Sequence, residues 1–229
     1  MYRNADTLEP LVERLATALD GRDWTLRLVV DACPAGSAEV ARRLADADDR
    51  VRVTELPVNG GQHAALARGL VDEADAGAWV CLDADLQDPP EAVPALLDRL
   101  ARGDAGAVFA GRRGAYESWM RRLTGTAHRW VAARLTGLPA DAGAFLAMDS
   151  AVRTAVVTEV LSGRAPSVVL AVARAGRPAV SVPVVRDVRP SGGSSWTASA
   201  RVRQSVRSLV WAARVRRRAA APAGRRPGR

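Results

Sequence analysis

The residues best equipped for chemistry form one short run, Asp83-Ala84-Asp85-Leu86-Gln87-Asp88-Pro89-Pro90-Glu91. Ahead of it lies the apolar run Ala78-Trp79-Val80-Cys81-Leu82, which reads as a buried strand. Two carboxylates with one small residue between them therefore sit where a strand ends, and Pro-Pro-Glu opens a helix behind them. In an open α/β sheet, ligands bind outside the carboxyl ends of the strands. Carboxylates there suit a hard divalent cation, and Mg²⁺ typically takes one or two of them plus substrate phosphates. The pattern predicts a metal–diphosphate site. The bland alternative is that Asp83 and Asp85 are helix N-terminal acids, favoured by the helix dipole; the nine-residue context points to the cation.

The elements that must position this run alternate. A helical face is predicted over Glu9–Leu19, carried by Leu8, Leu11, Val12, Leu15 and Leu19. Thr25–Val30 reads as a strand ending at Asp31. Pro34–Ser37 is a turn with Ser37 as N-cap, followed by a helix to about Asp46. Val51–Leu56 is a strand, Asn59-Gly60-Gly61 a turn and Gln62–Val71 a helix. Beyond the acidic run come a helix over Ala92–Ala101 and a strand over Ala105–Ala110. The alternation implies a mostly parallel, doubly wound α/β sheet. Farther on, Trp119–Leu135 reads as a long helix, and Asp141–Phe145 leads into a short strand. Val168–Ala173 and Ala179–Val185 read as strands, Ser191–Ser195 as a loop and Ala198–Arg218 as a last helix. Its apolar side would hold Val202, Val206, Leu209, Val210 and Ala213. The expected organisation is a catalytic part over 1–197, a basic amphipathic helix over 198–218 and a disordered tail over 219–229.

Composition narrows the classes. The chain has 229 residues, 48% of them apolar, enough for one substantial α/β domain. It holds no apolar run of 18 residues, so no spanning helix is expected, and the polar start is unlike a signal peptide. Cys33 and Cys81 lack metal or redox spacing and read as buried free thiols of a cytosolic protein. The net charge of +8 is an average over unlike parts. All 33 cationic side chains are Arg; ten fall in residues 201–229, which hold no acid, leaving 23 Arg against 25 acids elsewhere. Such a tail suits anionic lipid or nucleic acid. It lacks the interleaved aromatics of single-strand binders, so nucleic acid is not expected.

Taken together, the motifs resemble the polyprenyl-phosphate glycosyltransferases, a branch of the inverting GT-A group that includes dolichyl-phosphate mannose synthases and undecaprenyl-phosphate sugar transferases. The resemblance covers most of residues 1–200. It rests on the acidic run, on Asn59-Gly60-Gly61-Gln62 with Ala64-Ala65-Leu66 and Gly69, and on Gly111-Arg112-Arg113. Asp141…Gly143…Phe145 and the loop Arg189-Pro190-Ser191-Gly192-Gly193-Ser194 complete it. It implies transfer of a sugar from a UDP- or GDP-sugar to a lipid phosphate. Asp83, Asp85 and Gln87 would hold Mg²⁺ or Mn²⁺. Asp31, Asp83, Ala84, Arg189 and Ser194 would contact the donor. Arg113 and Arg121 would hold the acceptor phosphate.

Those residue types suit that chemistry. A cation offsets the charge building on a nucleoside diphosphate leaving group. A phosphate acceptor, with a second pKa of about 6, needs positioning more than deprotonation, and the Arg fork binds phosphate oxygens in pairs. A hydroxyl acceptor would instead need a base, for which Asp141 is the candidate. Arg112, Arg113, Arg121 and Arg122 read equally as a solvated basic face. His63 beside Gln62 reads as a local hydrogen-bonding residue rather than a metal ligand, His128 as structural or exposed, Trp119 and Trp130 as packing residues, and Trp196, beside the loop, as a lipid contact.

Two departures stand out. The family opens on an inner strand with a Pro-x-Tyr-Asn-Glu type sequence, and Met1-Tyr2-Arg3-Asn4 begins just after it. The expectation is a start codon placed too far downstream, or a damaged chain with unpaired backbone inside its sheet. Where the family has two adjacent acids, Val30-Asp31 keeps one. Three functions follow from these observations: transfer to a polyprenyl phosphate, transfer to a hydroxyl of a soluble metabolite or glycan, and an inactive relative that binds a partner. The final helix would dock on the inner face of the plasma membrane or pair with a membrane protein.

Overall fold

The computed structural model describes residues 1, 4–34, 36–113, 130–187 and 198–220. In chain order these form α1 (Ala5–Ala18), β1 (Leu26–Asp31), α2 (Ser37–Ala47), β2 (Val51–Leu56), α3 (Gln62–Asp72) and β3 (Trp79–Cys81). A 3₁₀ turn (Pro90–Ala92) leads into α4 (Val93–Leu100) and β4 (Ala107–Arg113). The helix α5 is described over residues 130–136. Then come β5 (Leu146–Met148), α6 (Ser150–Leu161), α7 (Val168–Ala171), β6 (Ala179–Val185) and α8 (Ala198–Ala220).

The strands form two sheets. β1 and β2 pair in parallel, Leu26 opposite Val51 through Asp31 opposite Leu56. The other four run in the order β3-β5-β4-β6. There β4 and β6 are parallel, and the short β5 lies antiparallel between β3 and β4. Cys81 and Phe109 both pair with Leu146, so β3 and β4 are level and point the same way. Their carboxyl ends therefore open on one edge. Side chains along β4 alternate between two cores: Ala107 and Phe109 face α6 and α7, whereas Val108 and Ala110 face α1 and α4. Burial on both faces is what a covered α/β sheet requires.

Helix α1 ties the two sheets together. Its Leu8 and Val12 pack with Leu28, Val30 and Ala41, while Leu11, Leu15 and Leu19 pack with Leu96 and Val108. Gly69 lets α3 lie close on β1, because a Cβ there would stand 2.9 Å from Val29 Cγ2. Arg153 of α6 donates to the carbonyl of Leu70 and stacks on Trp79, its Cζ 5.1 Å from the ring centre.

Three local expectations are corrected. Val168–Ala173 is helical, because Ser167 caps the turn by accepting from Leu170 N at 3.2 Å. Ser37 is the first residue of α2 and not its cap; its hydroxyl accepts from Asn4 N at 3.1 Å. The buried side of α8 is Ser208 and Ala212, with Trp211 against the core, so Val206 and Val210 stay exposed at 57% and 45%. Much of the segment expected as the helix Trp119–Leu135, the loop Ser191–Ser195 and the tail from 221 lie outside the described residues. Among the described residues, no helix is long and apolar enough to cross a membrane.

Candidate active site

A cavity of about 1730 Å³ opens between the two sheets, and its polar end gathers Asp31, Gln62, Asp83, Ala84, Asp85 and Gln87. Each acid is held by a local device. Asp31 closes β1 and is buried at 4% exposure; Oδ1 accepts from Gly60 N at 2.7 Å and Oδ2 from Gly61 N at 2.9 Å. The Asn59 amide adds a bond to the Asp31 carbonyl. Asp31 thus fixes the turn that starts α3, a structural task in addition to any ligand contact. The first side chain of that helix, Gln62, donates to Asp83 Oδ1. Asp85 accepts from Gln87 N at 3.1 Å.

Strain is concentrated here. The two described non-glycine residues with positive φ are Ala32 (44°), after Asp31, and Leu86 (58°), after Asp85. Such a backbone costs on the order of 1 kcal/mol per residue and persists where surrounding contacts over-determine it. At Leu86 the contact is burial, 7% exposed. The left-handed step turns the chain so that Asp85 and Gln87 N–H face each other.

The loop is then pinned from the far end of the sheet. Asp88 and Arg186 form a buried ion pair, Arg186 Nε donating to Asp88 Oδ1 at 2.6 Å, and Asp187 N donates to the Gln87 carbonyl at 2.9 Å. Burial works against the Arg186 charge, but Asp88, followed by Asp83 and Asp85, outweighs it and raises the guanidinium above its ordinary value. Neither Asp88 nor Arg186 was among the expected site residues. The signal for Arg186 was its place just after β6, at the edge where β3 delivers Asp83.

Asp141 is absent from the cavity wall but reaches the same edge. A Cβ on Gly111 would stand 2.4 Å from Asp141 Oδ2, so only glycine admits that carboxylate against β4. Arg113 ends β4, its backbone paired with Val185, two residues beyond Gly111. The Arg113 side chain and the residues Arg121, Arg189 and Ser194 lie outside the described residues. His63 is held uncharged by burial, its pKa pushed down to about 4, with Nδ1 sealed and unpartnered. Cys81 is buried, which pushes its thiol up to about 12, an inert thiol. Cys33 is only partly buried.

A divalent cation fits the donor chemistry: Asp83 and Asp85 supply hard oxygens one residue apart. The described residues contain no group of three or more His, Cys, Asp or Glu side chains able to hold a metal. Two carboxylates leave coordination positions for diphosphate and water, as such sites do.

A mostly parallel sheet with Asp-x-Asp at its carboxyl edge is the GT-A architecture of glycosyltransferases. The Glycosyl transferase family 2 model matches residues 1–146, and the chain belongs to that family. It is 34% identical over 152 residues to an undecaprenyl-phosphate 4-deoxy-4-formamido-L-arabinose transferase of Pectobacterium carotovorum, covering 64% of this chain and 45% of that one. The chain spans about half the length of the curated relatives it matches. Among solved structures, it resembles a mannosyltransferase of Pyrobaculum calidifontis in complex with GDP-Man and Mn²⁺ (TM-score 0.58, 18% identity, covering 99% of this chain and 74% of that one). It also resembles the Mycobacterium tuberculosis glucosyl-3-phosphoglycerate synthase in complex with Mn²⁺, UDP-glucose and phosphoglyceric acid. That match has a TM-score of 0.62 and 17% identity, covering 94% of this chain and 76% of that one.

Proposed function

We propose that this chain transfers a sugar from a UDP- or GDP-sugar to a polyprenyl phosphate. The observation that carries the reading is the placement of Asp83 and Asp85 at one cavity's polar end, beside Asp31. The relatives named as undecaprenyl-phosphate transferases support the acceptor. In this reading Asp83, Asp85 and Gln87 would hold Mg²⁺ or Mn²⁺ together with the donor diphosphate, and a cation bound there would supply charge neutralisation for the nucleoside diphosphate leaving group. Asp31, Ala84, Arg189 and Ser194 contact the nucleotide sugar. Arg113 and Arg121 orient the acceptor phosphate. One phosphate oxygen forms the new bond to the anomeric carbon as the bond to the nucleoside diphosphate breaks. A phosphate that is already ionised requires no base.

The chain is proposed to act peripherally on the inner face of the plasma membrane. Residues 1–197 form the catalytic part, and the helix over 198–218 with its 219–229 tail meets the lipid or a membrane-protein partner. Exposed Val206 and Val210 beside exposed Arg203, Arg207 and Arg214 support that contact.

Labelled UDP- and GDP-sugars offered with undecaprenyl phosphate in detergent test the reaction. Label should enter the organic phase, and Arg113→Ala should lower that transfer at least about 100-fold, the loss of a charge-assisted phosphate contact. Transfer to water-soluble hydroxyl acceptors alone, dependent on Asp141, would refute the lipid acceptor.

A further inference from the structure

Asp83 and Asp85 lie beyond the end of β3, whose pairing with β5 stops at Cys81. The sheet ladder therefore does not set the peptides between them. The first turn of α1 does. Thr7 Oγ1 donates to the Ala84 carbonyl at 2.5 Å, and Asn4 Nδ2 donates to the same oxygen at 3.3 Å. Both residues line the cavity that holds the acids.

Each of the two has a local alternative. Asn4 is the N-cap of α1, where an Asn side chain ordinarily accepts from the first N–H groups of its helix. It makes no such cap bond and reaches across to Ala84. Thr7 Oγ1 also lies 3.0 Å from the Asn4 carbonyl, the back-bond common for a helical Thr. A hydroxyl donates only one bond, and the shorter separation is to Ala84. Thr7 is buried, and Asn4 is itself anchored through its N–H on the buried Ser37. A peptide unit is planar, so a carbonyl held by two donors fixes the plane that carries Asp85 N. That plane sets the direction in which the Asp85 side chain leaves the backbone. Asp83 is held separately, by Gln62.

We propose that Thr7 and Asn4 are positioning residues of the donor site: by holding the Ala84 carbonyl they set Asp83 and Asp85 at the mutual angle in which both carboxylates can bind one divalent cation. The inference rests on the reading of those two acids as cation ligands. Groups behind metal ligands orient them, and losing one typically costs about 10–100-fold in metal affinity. The same helix grips the acidic run a second time, where Arg14 donates to both Glu91 carboxylate oxygens at 2.7 Å. That pair is exposed and lies well past Ala84, so its loss serves as a control.

Thr7→Val keeps the side-chain shape and removes the hydroxyl, whereas Thr7→Ser keeps the hydroxyl. Asn4→Ala removes the second donor where little packing is lost. Two readouts separate the claims. In metal-free protein, exchange of the Gln87 amide reports how firmly Asp85 is placed, because that N–H is bonded to Asp85 Oδ1. With UDP or GDP present, the Mn²⁺ concentration giving half-maximal thermal stabilisation reports cation affinity. Thr7→Val should speed Gln87 exchange at least about 10-fold and raise half-saturating Mn²⁺ by about 10–100-fold. Asn4→Ala should move both in the same direction by less. Thr7→Ser should track the parent chain, and Arg14→Ala should change neither readout. Parent values for both readouts in Thr7→Val and Asn4→Ala would overturn the proposal. So would Arg14→Ala shifting both as far as Thr7→Val, which would mark a general loosening of α1. Faster Gln87 exchange in Thr7→Val, in a chain that no nucleotide stabilises with Mn²⁺, would uphold the hold on Ala84 and overturn the reading of the acids as cation ligands.

Discussion

Arg186 and Asp88 meet across 2.6 Å with side chains only 7% and 3% exposed, ninety-eight residues apart in the chain. The pair anchors the loop carrying Asp83 and Asp85 to the end of β6. Breaking a buried pair leaves one charge uncompensated, at a cost of about 3–5 kcal/mol. Arg186→Met should lower stability by that order in urea unfolding. Replacing both residues, Arg186→Met with Asp88→Leu, should recover part of the loss. Equal stability of Arg186→Met and the parent chain would show that the pair does not hold the loop.

Gly111 and Asp141 give a second prediction. A methyl group at Gly111 would overlap the Asp141 carboxylate. Gly111→Ala should cost about 1–3 kcal/mol, the usual range for overpacking. Gly111→Ala combined with Asp141→Ala should cost less than Gly111→Ala alone, a coupling that a double-mutant cycle reads directly.

His63 sets a pH dependence. Its folded pKa of about 4 lies below its ordinary 6.5. Between those values the unfolded chain binds a proton that the folded chain does not. Stability contributed by the neutral ring is therefore complete above about pH 6.5 and is lost as pH falls toward 4, with a slope approaching 1.4 kcal/mol per pH unit. His63→Gln should flatten that part of the stability–pH curve. An unchanged slope would mean that other groups produce it.

The exposed side of α8 can be tested without touching the site. Val206→Ser with Val210→Ser removes apolar surface that is already in solvent. Melting temperature should move little, whereas co-sedimentation with vesicles containing anionic lipid should fall several-fold. Unchanged sedimentation would assign lipid binding, if any, to other residues.

Much of this fold was legible because its signals are local. β2 and β6 fall at the boundaries that alternation predicts, and Asp83 follows an apolar strand as expected. Legibility failed where burial is all-round. Val168–Ala171 is apolar on every side, and periodicity cannot separate such a helix from a strand; only the Ser167 cap distinguished them. Helix α6 was missed for a related reason, its apolar residues spread around the helix, although Asp149 caps it by accepting from Val152 N at 2.8 Å. In α8 the pattern marked an apolar stripe, but contact with the core selected Ser208 and Ala212, small residues that allow close approach. Within the site, residue types revealed the acids but not their holders. Gln62 on Asp83 and Arg186 on Asp88 are contacts between distant segments, set only by the packing of α3 and β6 against the loop.

The measurement closest to the central claim is thermal stabilisation by UDP, GDP and CDP, each with and without Mn²⁺, on the parent chain and on Asp85→Ala. The account expects one nucleotide to raise the melting temperature only when Mn²⁺ is present, and Asp85→Ala to abolish the shift. A shift that is independent of the metal or survives Asp85→Ala would contradict it, as would no shift with any nucleotide.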